Sequence, residues 1–138
     1  MNSVRTSVTA EAAYLPQLTA FLQEFWTAAA LPAAECMPFE LALEEIFMNV
    51  VMHGSKGGDP RRVEVVLALT PEGLTMTVED DGPGFDPLSL PNPDVTAELS
   101  DRPIGGLGIF LVRKMMDTVR YARIDGRNQL RMSKQLHG

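Results

Sequence analysis

Apolar residues recur along the chain with two periods, and the switches between them mark the elements. Val4 to Thr9 alternates and is rich in β-branched residues, which predicts a strand. From Ala10 to Ala30, Leu15, Leu18, Phe21, Leu22, Phe25 and Trp26 fall at helical spacing. They predict an amphipathic helix with those residues on its core face, closed by Leu31-Pro32. A second helix is expected from about Phe39 to His53, opened by Met37-Pro38 and stopped by Gly54. Its stripe is Phe39, Leu43, Ile46, Phe47 and Val50. Val63 to Leu69 and Leu74 to Val78 alternate on either side of Thr70-Pro71-Glu72-Gly73, the pattern of a hairpin. Asp80 to Gly108 then loses periodicity and gains glycine and proline. A stretch this long inside a small domain predicts a functional loop or lid. Ile109 to Met116 reads as a buried helix. Thr118 to Ile124 and Gln129 to Leu136, around a turn at Asp125-Gly126-Arg127, read as a second hairpin.

The order β-α-α-β-β-loop-α-β-β predicts an α+β fold. The expected form is a two-layer α/β sandwich, with a mixed, mostly antiparallel sheet and helices on one face. A length of 138 residues suits one domain over 1–138, and 45% apolar residues suffice for its core. The net charge of −6 argues against nucleic acid as a direct partner, because phosphate backbones attract basic surfaces. Basic residues concentrate after Arg102, where only Asp117 and Asp125 oppose them. That half offers either a dock for an acidic molecule or an ordinary solvated surface. The single cysteine, Cys36, excludes an internal disulfide and a Cys-rich zinc site. With no apolar run of signal-peptide or membrane-span length, a soluble cytoplasmic protein without a membrane partner is expected.

Three segments carry chemistry. The first is Glu44-Glu45-Ile46-Phe47-Met48-Asn49. Helical residues four apart differ by about 40° around the axis, so Glu45, Asn49 and His53 share a side. That side is expected to lie away from the apolar stripe. A carboxylate there can act as a general base, and an amide oxygen can ligate Mg²⁺. The plainer alternative is a solvated polar face, with His53 serving the helix dipole. The second segment is Asp80-Asp81-Gly82-Pro83-Gly84-Phe85. Its glycines admit close backbone approach to a flat ligand, and a strand-end aspartate can accept a hydrogen bond from an exocyclic amine. An ordinary acidic turn is the alternative, and a Ca²⁺ loop a third reading that lacks the regular ligand spacing of an EF-hand. The third is Ile104-Gly105-Gly106-Leu107-Gly108-Ile109. Glycines running into a helix expose backbone N–H groups where anions, above all phosphates, bind. Neither a Walker A loop nor a dinucleotide fingerprint is present, and tight packing alone would explain one or two of these glycines.

In order and spacing these segments resemble the N, G1 and G2 boxes of the GHKL (Bergerat-fold) ATPases. The details are most similar to the bacterial anti-sigma-factor serine/threonine kinases. The run Glu45 to Gly54 is similar to that family's N box, Asp80 to Asp86 to its G1 box and Gly105 to Val112 to its G2 box. The resemblance implies the Bergerat ATP-binding fold and a pocket for ATP with Mg²⁺. It implies Asn49 as metal ligand, Glu45 as the base on a substrate serine or threonine hydroxyl, and Asp80 as reader of the adenine amine. Gly82 and Gly84 would line the base pocket. Gly106 and Gly108, with Gly105 and Leu107 beside them, would set backbone amides by the phosphates. Residues Pro87 to Pro103 would form a lid, in which Arg102 is the natural phosphate contact by charge and position. Lys114 is expected to face solvent.

The activity implied is ATP-dependent phosphorylation of an anti-sigma-factor antagonist, a STAS-domain protein, by a homodimer that also binds a sigma factor. The alternative is a regulatory module that holds ATP and such a partner without turnover. A histidine-kinase catalytic domain is a third reading, acting in trans on a histidine of another protein.

Overall fold

The computed structural model describes residues 2–54, 61–89 and 106–136. Its strands are β1 (Asn2–Thr9), β2 (Arg62–Thr70), β3 (Gly73–Asp80), β4 (Thr118–Ile124) and β5 (Arg127–Lys134). Its α-helices are α1 (Leu15–Ala28), α2 (Met37–Gly54) and α3 (Gly106–Met115). The strands form one sheet in the order β1-β2-β3-β5-β4, and every ladder is antiparallel. The expected α+β sandwich is therefore present, with no parallel pair among the described residues.

Alternation along the strands builds the layers. Val63, Val65 and Leu67 of β2, Leu74, Met76 and Val78 of β3, and Leu130 and Met132 of β5 point to one face. They meet Leu18, Leu22 and Phe25 of α1, Phe39, Leu43, Ile46 and Phe47 of α2, and Ile109 and Val112 of α3 in a single core. The other face carries polar side chains, including the ion pairs Arg5–Glu64 at 3.6 Å and Arg127–Glu79 at 3.9 Å. Both hairpin turns follow their residues. Asp125 and Gly126 have φ of 53° and 76°, the left-handed pair that a tight two-residue turn requires. Gly73 has φ of 148°, and a β-carbon there would run into the Lys134 carbonyl.

The first and third helices differ from the sequence reading in their bounds. The first helix begins at Leu15 rather than Ala10, after a 3₁₀ turn over Ala12–Tyr14. Pro16 lies in its first turn, where no N–H is needed. A helix from Ala10 would put that proline in the interior, at a cost of about 3 kcal/mol. The helix also stops at Ala28, with Ala30 left-handed at φ 54° and the Leu31 N–H returning to the Trp26 carbonyl at 3.1 Å. The third helix begins at Gly106 rather than Ile109, so Gly106, Leu107 and Gly108 form its first turn.

Candidate nucleotide site

The sheet and α2 enclose a cleft lined by Ile46, Asn49, Val50 and His53 of α2, Val78 and Asp80 of β3, Tyr121 of β4, and Asn128 and Leu130 of β5. Pro83, Phe85 and Pro87 close it from the loop after β3. Apolar walls with a few convergent polar groups are what a small planar ligand needs.

Asp80 ends β3 directly opposite Asn128 at the start of β5. Both point to the core side and both are buried, at 8% and 6% exposure. The Asp80 Oδ1 atom accepts hydrogen bonds from the Gly82 N–H at 2.9 Å and from Asn128 Nδ2 at 3.0 Å. Among the described residues no hydrogen bond falls on Oδ2. A buried carboxylate with one oxygen committed and one available is equipped to accept from an exocyclic amine. Asp81 turns away, and its Oδ1 accepts the Arg62 N–H at 3.0 Å at the start of β2. Gly82 lies under Asp80. At Gly84, by contrast, an added β-carbon would make only ordinary contact with Arg123, so its space is not critical.

The N-box residues divide. His53 stacks on Phe85 with ring centroids 4.4 Å apart and planes 20° from parallel, joining α2 to the loop after β3. Asn49 is buried at 5% exposure, and its Nδ2 has no hydrogen-bond partner. The expectation that this helix face lies away from the apolar stripe, and its alternative of a solvated face, both fail here. Asn49 sits inside the cleft, facing Val78 of β3 and Leu130 of β5 among its walls. Glu45 is half-buried one turn earlier, about 6 Å along the helix axis. Its carboxylate occupies the space a β-carbon at Gly108 would fill, so the N-box helix touches the first turn of α3. Burial pushes the Glu45 carboxyl above its ordinary range, and the neighbouring Glu44 charge adds to the effect.

The cleft thus runs along α2. It holds Asp80, Asn128 and the His53–Phe85 stack and reaches Asn49; one helical turn beyond Asn49, Glu45 meets the first turn of α3. A ligand with a flat base at one end and anionic groups at the other matches that layout. Between them lies Asn49, a carboxamide whose Nδ2 has no partner to fix which way the group faces. Its Oδ1 is a hard oxygen donor of the kind a magnesium ion takes, so Asn49 is the residue that would hold one here. Among the described residues no cluster of three His, Cys, Asp or Glu forms a metal cage.

Arg102 and Gly105, and the span 90–105 of the expected lid, lie outside the described residues. The start of the expected lid is wall rather than cover. Pro87 is buried and lines the cleft, in a 3₁₀ turn over Pro87–Ser89 begun by Asp86 Oδ1 accepting the Leu88 N–H at 2.8 Å. Lys114 is exposed, its Nζ 5.5 Å from the Phe110 ring centroid. Cys36 is no nucleophile at neutral pH. Burial and its hydrogen bond to Glu40 push its thiol up to about 12.

Sequence reasoning missed Asn128, Tyr121 and Arg123. The only local signal was an asparagine just after a turn, which is unremarkable there.

Residues 8–134 match the histidine kinase-like ATPase domain family. The chain belongs to that family. It is 30% identical over 93 residues to serine/threonine-protein kinase BtrW of Bordetella bronchiseptica, covering 67% of this chain and 66% of that one. It is 31% identical over 85 residues to serine-protein kinase RsbW of Listeria monocytogenes, covering 59% of this chain and 54% of that one. The match thus spans between about half and two thirds of these relatives' length. The crystal structure of the RsbU and RsbW domains of Rv1364c from Mycobacterium tuberculosis superposes with a TM-score of 0.68 at 16% identity, over 99% of this chain and 33% of that one. That likeness supports the histidine kinase-like fold of this ATPase domain.

Proposed function

We propose that this ATPase domain is a serine/threonine protein kinase of the anti-sigma-factor type. It uses ATP with Mg²⁺, acts in the cytoplasm on an anti-sigma-factor antagonist of the STAS class, and binds a sigma factor as a homodimer. One observation carries the reading: the Glu45 carboxylate lies against the first turn of α3, where the phosphates of a nucleotide seated on Asp80 would end. The kinase names of its relatives support the same reading.

In this reading Asp80 accepts from the adenine amine, and Gly82 and Gly84 flank the base. The N-terminal amides of α3, from Gly106 to Gly108, face the phosphates, and Arg102 contacts them from the lid. Asn49 holds the metal, which when bound neutralises charge on the phosphates. The hydroxyl oxygen of the substrate serine or threonine attacks the γ-phosphorus as the bond to the bridging oxygen breaks and ADP leaves. Glu45 takes the hydroxyl proton. A carboxyl raised by burial is a stronger base than an exposed one, which suits it to that task.

The test is to mix the chain with the STAS proteins encoded beside it and labelled ATP. Phosphoserine or phosphothreonine should form and should disappear in Glu45→Ala. Tight ATP binding without transfer to any of them would instead assign a non-catalytic regulatory module.

A further inference from the structure

We propose that Asn128 is a positioning residue that presets the Asp80 carboxylate, and so sets the preference for adenine over guanine. The inference rests on the reading of Asp80 as the base-contacting group.

Asn128 uses both ends of its amide, each in a different task. Its Nδ2 donates to Asp80 Oδ1 at 3.0 Å and to the Pro83 carbonyl at 2.8 Å. Its Oδ1 accepts from the Phe85 N–H at 3.1 Å, from Tyr121 Oη at 2.5 Å and from an Arg123 guanidinium N–H at 3.1 Å. The same Arg123 nitrogen donates to the Gly82 carbonyl at 2.8 Å. Three donors on Oδ1 forbid the flipped amide, because a flip would aim Nδ2 hydrogens at three N–H or O–H groups. The donor end is therefore fixed on Asp80. With the Gly82 N–H on the same oxygen, Oδ1 is fully engaged and Oδ2 is left for the ligand.

Selectivity follows from that rigidity. Adenine brings a donor to the carboxylate, whereas guanine brings a carbonyl oxygen at the corresponding ring position. A carboxylate free to rotate could turn from that oxygen; one held on two donors cannot. Rejection then costs the unpaired, desolvated charge its full penalty.

The decisive substitution is Asn128→Asp. It keeps an oxygen for Phe85, Tyr121 and Arg123 and replaces the donor facing Asp80 with a second carboxylate oxygen. Two carboxylates in contact share a proton, so one titrates well above its usual range. The other groups facing this position are Tyr121 and Arg123 on β4 and His53 on α2. When protonated, the new carboxyl restores a donor to Asp80.

Binding of ribose-labelled ADP and GDP with Mg²⁺ is measured from pH 5 to pH 8.5, as the ratio of variant to wild-type affinity at each pH. At the alkaline end the variant should lose roughly tenfold or more in ADP affinity, with little change for GDP. The loss should shrink as the pH falls. Asn128→Ala, neutral and smaller, should lose the ADP preference at every pH with no recovery in acid. It serves as the second variant should Asn128→Asp not fold. Wild-type ADP selectivity preserved in either folded variant overturns this inference alone. A wild-type chain that binds no adenine nucleotide overturns the proposed function and the inference with it.

Discussion

The Glu45 carboxylate sits where a β-carbon on Gly108 would be, so the second and third helices meet through a glycine and a half-buried acid. The contact is made by the far end of a flexible side chain. Gly108→Ala should therefore displace the carboxylate rather than break the fold. We expect phosphoryl transfer to fall by about a hundredfold, the scale of a misplaced general base, with the melting temperature changed by only a few degrees. Transfer assays beside a thermal melt check this; wild-type transfer would remove Gly108 from the argument.

Glu45→Gln separates chemistry from stability. A carboxyl raised on folding favours the proton in the native state. Its contribution to stability is complete below the ordinary value of 4.5 and is lost as the pH rises through the folded value. The glutamine variant should thus be more stable than wild type at pH 7–8, equal to it below about pH 4, and inactive in transfer while still binding ATP. Denaturant titrations at several pH values give the measurement.

Asn49→Leu should stabilise the nucleotide-free chain. It removes a buried donor with no partner, which costs about 1–3 kcal/mol, and replaces it with an apolar group of similar size. Magnesium-dependent nucleotide binding should fall in the same variant. Chelation of Mg²⁺ should weaken nucleotide binding in wild type but change little in Asn49→Leu. A variant less stable than wild type would mean that the amide is satisfied in solution.

The His53–Phe85 stack holds the loop after β3 against α2. His53→Ala should weaken ATP binding about two- to tenfold, the worth of one aromatic pair, and His53→Phe should recover most of it. Calorimetric titration distinguishes these outcomes. Equal affinities in both variants would limit the histidine to capping its helix.

Much of this was legible in residue order. The alternations of β2 and β3 and the stripe of α2 sufficed to place those elements. The three glycine- or acid-bearing segments singled out Glu45, Asn49 and Asp80, and the structure sets Asn49 and Asp80 on the cleft wall with Glu45 one turn away. Depth was not legible. Asn49 is four residues from Glu45 on the same helix, yet one is buried and the other half-exposed, because only the later turn lies within the cleft. Asn128 was hidden for a related reason. Its meaning lies in lying opposite Asp80, 48 residues away, and strand register across a sheet is set by tertiary packing. The start of α1 was decided by Pro16, whose ring outweighed an alanine-rich prelude.

The distance in sequence between the partners Asp80 and Asn128 has a further consequence. The cleft draws on α2, β3, β4 and β5, so no half of the chain contains it and an unfolded chain offers nothing for the nucleotide to grip. Ligand and fold are then thermodynamically linked. Nucleotide at a hundred times its dissociation constant adds about 2.7 kcal/mol to the stability of the native chain. Energy charge would in this way govern how long the protein survives proteolysis, quite apart from any phosphate it transfers.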